Sequence, residues 1–216
     1  MTGTGQSPGF DRVLASRRMC RDYLDRPVDA ELLDGVLRAA FRGPSAGNTD
    51  ALDLVVLVGR EQVARYWDTT LPEPRRGGFP WPGLLRAPVL VLPYVSPRAY
   101  VERYGEADKS GTGLGIDADR WAVPYWWVDG GAAVMALLLA AEAAGLGALL
   151  FGQFDHEPVL AALLGVPEGR RALGTIALGH RGDGDRRSAS AVRGRPDPAV
   201  RVHHGAWSAP AGPDAP

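Results

Sequence analysis

Apolar residues recur at helical spacing in residues 30–42, where Leu32, Leu33, Val36, Leu37 and Ala40 share one face. Asp29 stands at the N-cap position, so the pattern predicts a helix over Ala30–Arg42. Phe10–Ser16 and Glu61–Thr69 read as shorter helices, and Pro97–Tyr104 as another. Continuous β-prone runs at Leu52–Val58, Ala87–Val95, Leu146–Phe151 and Leu173–Gly179 predict four buried strands. Asp155 is read as the cap of a helix ending at Leu164, and Val200–His203 as a short strand. Residues 105–128 are rich in glycine and tryptophan and show no clear period, which suits a functional lid.

The strongest helix signal is Asp129–Ala144, closed by Gly145. It is apolar nearly all round, and such a helix must be covered on every side. A subunit interface is the economical cover in a chain of 216 residues. Its apolar run, Gly130–Ala141, is shorter than the roughly 20 residues that a bilayer demands, so no membrane span is expected.

Composition narrows the function classes. The net charge is −1, which gives no global basic field for nucleic acid or an anionic membrane. Positive charge is local, and because Lys109 is the sole lysine it rests mainly on arginine. A single cysteine, Cys20, excludes an intrachain disulfide and suits a reducing cytoplasm. His156, His180, His203 and His204 have no metal-binding spacing, so no metal site is expected. Met1–Pro8 is polar and lacks signal-peptide character, and this segment and Ala209–Pro216 are expected to fray.

Two short segments carry chemistry. Arg17-Arg18-Met19-Cys20-Arg21 places three guanidinium groups within five residues, and the arginine fork of donors matches phosphate oxygens. Pro44-Ser45-Ala46-Gly47-Asn48 is a small, polar turn whose backbone can approach a ring closely. Further along stand Pro27-Val28, the alanine-leucine helix, Gly145-Leu146-Gly147 leading to Phe151-Gly152, and Arg193-x-Arg195 ahead of Trp207. This ordered set resembles the nitroreductase family of flavin mononucleotide (FMN) enzymes, over about residues 10–207.

The resemblance implies roles residue by residue. Arg17 and Arg21 match positions that hold the flavin phosphate and ribityl chain, with Arg18 lying along that chain. Met19 stands where the family usually has serine, which removes one hydroxyl contact. Arg193 and Arg195 match a basic pair returning to the phosphate. Pro44, Ser45 and Asn48 match a loop that reaches the flavin of the partner subunit, and Phe151 and Gly152 match the strand end whose N–H groups face flavin N5 and O4. Asp50-Ala51-Leu52 replaces the usual Gln-Pro-Trp. Lys109 is the candidate cation near the ring, while Tyr125 and Trp126 are candidate lid residues.

The resulting expectation is one nitroreductase-like α+β domain over residues 1–216, with about 10–207 as its ordered core. A central mixed β-sheet of about four or five strands carries helices on both faces. The chain is expected to form a cytoplasmic homodimer that uses FMN, takes electrons from NADH or NADPH, and passes them to a small electron-poor acceptor by a ping-pong scheme. The chemistry belongs to the flavin, so no catalytic side chain is assigned. A flavin-fragmenting relative, or a protein that binds FMN or a deazaflavin without turnover, stays open as an alternative.

Overall fold

A computed structural model of the chain describes residues 9–186, 188, 193–194 and 197–207. The ends expected to fray lie outside the described residues, as does Arg195. The chain divides into two compact units, Met1–Arg186 and Arg187–Pro216.

The first unit is built on a five-stranded sheet: β1 (Leu52–Val58), β2 (Val89–Val95), β3 (Gly147–Phe151), β4 (Arg171–Ala172) and β5 (Thr175–Gly179). The order is β1-β2-β5-β3, with β4 paired to the far end of β2. Where a mixed sheet is expected, every pairing between these strands is antiparallel, and the parallel component is one bridge, Met19 to Ala148. The strand signal starts two residues early at Leu173 because the chain kinks at Gly174, whose φ of 118° is a conformation that favours glycine. β1 is an edge strand, with only Leu57 buried, whereas β2 and β5 are buried throughout.

Side chains alternate across the sheet with period two. Val89, Val91, Ala148, Ile176 and Leu178 face one core, and Leu90, Leu92, Tyr94, Leu149 and Ala177 face the other. On the first face lie α2 (Ala30–Ala39) and α6 (Tyr125–Ala143), which contribute Leu33, Val36, Val134, Leu137 and Leu138. On the second lie α3 (Gly59–Thr70) and α7 (Glu157–Leu164), which contribute Val63, Tyr66, Trp67 and Leu160. The short helices α1 (Phe10–Ser16), α4 (Glu73–Arg76) and α5 (Pro97–Gly105) complete the unit. Asp29 caps α2 by accepting from the Glu31 and Leu32 N–H groups at 3.0 and 3.1 Å, and residues 40–42 finish as a 3-10 turn.

α6 begins at Tyr125, four residues before the sequence pattern suggests, because Trp126 and Gly130 already turn toward the core. At 19 residues it is the one helix among those described that is long and apolar enough to cross a membrane by length and composition. It nevertheless buries seven of its residues against this fold. Its uncovered side is apolar as well: Val128 is 51% exposed and Met135 38%, with Gly131 between them.

In the second unit, Pro198–Val200 forms a 3-10 turn, with the Asp197 carboxylate accepting from the Ala199 N–H at 2.9 Å. The strand expected over Val200–His203 is absent among the described residues; a turn follows, and His203 stacks on Trp207 at 4.6 Å between ring centroids.

Candidate functional site

The arginine segment follows α1 and runs beside β3. The Cys20 N–H donates to Ala148 O at 2.9 Å, and Leu24 N–H donates to His180 O at 2.9 Å. Cys20 and Tyr23 are fully buried, and the Tyr23 hydroxyl reaches the Cys20 and Ala177 carbonyls at 3.0 and 3.1 Å. Burial pushes the Cys20 thiol and the Tyr23 phenol above their ordinary ranges, so both stay neutral. With the intervening backbone fixed, the arginines have fixed origins.

Arg18 and the Arg21 N–H both hold Asp185, a carboxylate only 3% exposed, at 3.2 and 2.8 Å. Arg181 joins the cluster 4.0 Å from Asp185 and pairs with Glu142. The Arg21 guanidinium lies over the Trp81 ring at 5.1 Å. Nη1 of Arg17 is buried and has no hydrogen-bond partner among the described residues. Such an atom has given up water without compensation, a costly state that an anion would relieve. Met19 packs into both cores, as its apolar side chain dictates.

Arg21, Phe151 and Gly152 meet at one cavity of about 350 Å³. Its wall is aromatic: Tyr66, Trp67, Phe79 and Trp81, with Trp67 and Phe151 stacked at 5.9 Å and 6°. Leu71, Leu84, Leu149 and Leu150 add apolar surface, while Thr70, Gln153 and His156 supply polar groups. Gln153 is held by its Nε2 donating to Gly174 O and Thr175 Oγ1 at 3.1 and 3.2 Å. The Tyr66 hydroxyl is 3.0 Å from the same Thr175 oxygen, and burial pushes its phenol up to about 12. The site is therefore a slot with flat apolar walls and an arginine at its edge.

The remaining site residues gather elsewhere. Pro44, Ser45 and Asn48 line a second cavity of about 270 Å³ with Asp50, Tyr100 and Asp129. Their loop is pinned from two helices. Asp129 accepts from the Ala46 N–H at 2.7 Å and from the Tyr100 hydroxyl at 2.8 Å; Arg103 donates to Gly47 O at 2.8 Å. Gly47 is required there, since its φ is +66° and a Cβ would strike the Tyr104 ring at 2.8 Å. Lys109, Tyr125 and Trp126 converge beside it: Lys109 lies over Tyr104, and Trp121 packs on Tyr104, Tyr125 and Trp126 at 4.6, 6.2 and 5.9 Å. Trp126 is buried in this cluster, whereas Tyr125 is exposed. The region expected to be an irregular lid is thus an ordered aromatic cluster with short 3-10 turns at residues 110–112 and 118–120. Arg193 is exposed in the second unit.

Residues 14–180 match the model of the nitroreductase family. The chain belongs to that family. A 4-nitrobenzoate reductase from Nocardioides sp. is 29% identical over 197 residues, covering 79% of this chain and 80% of its own length. An FMN reductase (NAD(P)H) from Bacillus subtilis is 28% identical over 178 residues, covering 80% and 66%. Among solved structures, the NADPH:FMN oxidoreductase of Vibrio harveyi, complexed with NAD+, has the same fold with a TM-score of 0.66 at 18% identity, over 93% of this chain and 78% of that one.

Within this nitroreductase the sequence pattern left several wall residues unmarked. Thr70, Leu71, Phe79 and Trp81 come from the connection between β1 and β2, whose Phe79-Pro80-Trp81-Pro82 run has neither period. That run of aromatics and prolines was the available signal. Asp185 and Arg181 carry no motif, and Asp129, which stands at the start of the helical pattern, binds the 44–48 loop from inside α6.

Proposed function

We propose that this chain is an FMN-dependent NAD(P)H oxidoreductase that reduces small electron-poor acceptors of the nitroaromatic or quinone type. The observation that carries the reading is the buried, unpartnered Arg17 Nη1 in an arginine cluster whose neighbour Arg21 opens into a flat aromatic cavity. The Arg18 and Arg181 guanidinium groups pair with the Asp185 and Glu142 carboxylates, while those of Arg17 and Arg21, from the same segment, have no carboxylate partner among the described residues, which leaves two positive charges. A phosphate monoester dianion would neutralise them. The residues fit a phosphorylated planar cofactor.

Arg17, Arg18 and Arg21 would hold the phosphate end. Met19 would contribute backbone there. Phe151 and Gly152 would offer main-chain groups to the ring, and the aromatic walls would exclude water from it. Bound FMN supplies hydride transfer, which the side chains of this cavity do not provide by themselves. Donor and acceptor would use one pocket in turn, which is a ping-pong scheme.

The second cluster completes the site in a homodimer. Pro44, Ser45, Asn48, Lys109, Tyr125 and Trp126 would face the partner's flavin and acceptor. The uncovered apolar side of α6, continued by exposed Phe41 and Leu14 on elements packed against it, supports self-association. On this reading residues 10–207 act as one domain, and the buried single thiol suits the cytoplasm. The test is an absorbance spectrum of the protein purified without added flavin, followed by anaerobic titration with NADH and NADPH. A flavin spectrum bleached by either nucleotide and restored by a quinone supports the reading. A colourless protein that neither retains added FMN nor oxidises either nucleotide refutes it.

A further inference from the structure

The reduction assigned to this site needs a proton as well as a hydride. A quinone takes NAD(P)H and H+ to give the quinol and NAD(P)+, and a nitro group takes the same pair to give a nitroso group and water. The hydride carries both electrons, and the proton must reach the acceptor oxygen by another route.

The cavity wall offers few sources. Arg21 offers hydrogen-bond donors and a charge rather than a transferable proton. The Tyr66 hydroxyl is committed to Thr175, and burial keeps its proton bound. The Thr70 hydroxyl donates to Tyr66 O at 3.0 Å and does not titrate. Trp67, Trp81 and Gln153 are hydrogen-bonding groups that do not ionise in the neutral range. His156 remains, and imidazole is the side chain that most often moves a proton to or from a reacting group.

Its place suits the task. The His156 N–H donates to Gln153 O at 2.9 Å, closing the 3-10 turn Phe154–His156 that joins β3 to α7. The residue lines the cavity and is half-buried, so it is not sealed from water. Arg21 faces the same cavity from the N-terminal segment and Tyr66 from α3, while Asp155 and Glu157 adjoin it on its own segment. Glu157 is already engaged by Arg171 at 3.0 Å and by the Ala172 N–H at 3.0 Å, and stays ionised below the usual carboxylate range.

We propose that His156 takes up a proton from solvent when the site is reduced and gives it to the acceptor oxygen as the hydride is transferred. The inference rests on the flavin reading above. The decisive variant is His156→Gln, studied in the flavin-loaded protein. Two measurements are paired: protons taken up per two electrons, read from the pH dependence of the flavin midpoint potential, and the rate of reoxidation by p-benzoquinone between pH 6 and 8. The variant should keep its FMN affinity within twofold, take up fewer protons per two electrons than wild type, and reoxidise at least tenfold more slowly at pH 7. Should His156→Gln not fold, His156→Asn is measured instead. Unchanged proton uptake and an unchanged rate profile would overturn the proposal. So would loss of flavin from both variants, which would make His156 a structural residue. A wild-type protein without flavin would instead overturn the cofactor reading, and its absorbance spectrum reveals this before any variant is made.

Discussion

Replacing Arg17 with alanine should move two measurements in opposite senses. In the free protein its Nη1 is buried and has no partner among the described residues, so that nitrogen has lost hydration without a matching bond. A buried donor in that state costs about 1–3 kcal/mol, more when charged. Its side-chain stem still contributes some packing, which offsets part of the gain on removal. Arg17→Ala should therefore leave the stability of the flavin-free protein unchanged or raise it by about 1 kcal/mol. Phosphate binding should respond the other way. One charge-assisted hydrogen bond is worth about 1.5–3 kcal/mol, so FMN affinity should fall roughly 10- to 150-fold. Riboflavin, which has no phosphate, should bind wild type and variant alike. Urea unfolding of the flavin-free proteins gives the first quantity, and quenching of flavin fluorescence gives the second. An Arg17→Ala protein that is destabilised by 2 kcal/mol or more yet binds FMN as wild type does would refute the reasoning, because the arginine would then be a structural group.

Three further outcomes are expected. Gly174→Ala forces a side chain into a φ of 118° and its Cβ to 2.7 Å from Phe151 O, so urea denaturation should show a loss of about 2–3 kcal/mol, with weaker FMN retention because Phe151 borders the cavity. Met135→Glu puts a charge on the apolar side of α6; sedimentation should find a monomer of near-native stability and lower flavin content, and an unchanged dimer would remove α6 from the interface. Tyr66 is held by burial at about 12 in the folded chain, against about 10 when unfolded, so its contribution is complete below pH 10 and is lost as pH rises through 12. Tyr66→Phe should flatten that alkaline decline by roughly 2–3 kcal/mol, and an unaltered slope between pH 10 and 12 would contradict the assignment.

The sheet was legible because local sequence and final environment agree. Leu52–Val58 and Val89–Val95 are β-prone runs between turn signals, and they pair residue for residue from Leu52 with Val95 to Val58 with Val89. The cap at Asp29 was equally local, since its bonds reach only two and three residues ahead. What periodicity did not reveal depends on distant partners. β4 is two residues long and exists only because Tyr94 and Val95 lie opposite it. The start of α6 depends on an aromatic cluster drawn from residues 100, 121 and 126, so nothing in its own first turn marks it. The parallel contact expected of a mixed sheet shrinks to Met19 and Ala148 because the arginine segment passes β3 only briefly before turning at Tyr23.

The candidate site shows the same division, and it bears on assembly. Arg21 of the arginine segment meets residues 151–152 at one cavity, while the loop at 44–48 lines another and lies beside the aromatic cluster that holds residues 109, 125 and 126. Leu149 and Phe151 belong to the core on the α3 face, and the loop's anchor Asp129 belongs to α6 on the opposite face. A loop held by Asp129, Arg103 and Tyr104 is not free to swing across its own sheet. If both clusters serve one flavin, they must come from two chains. Mixing Arg17→Ala subunits with subunits altered at Asn48 tests this directly. Each homodimer has two impaired sites, but half of the sites in a one-to-one heterodimer would combine an intact arginine cluster with an intact loop. Recovery of FMN binding at about half of the heterodimer's sites is the expected result. No recovery would mean that each chain builds its site alone.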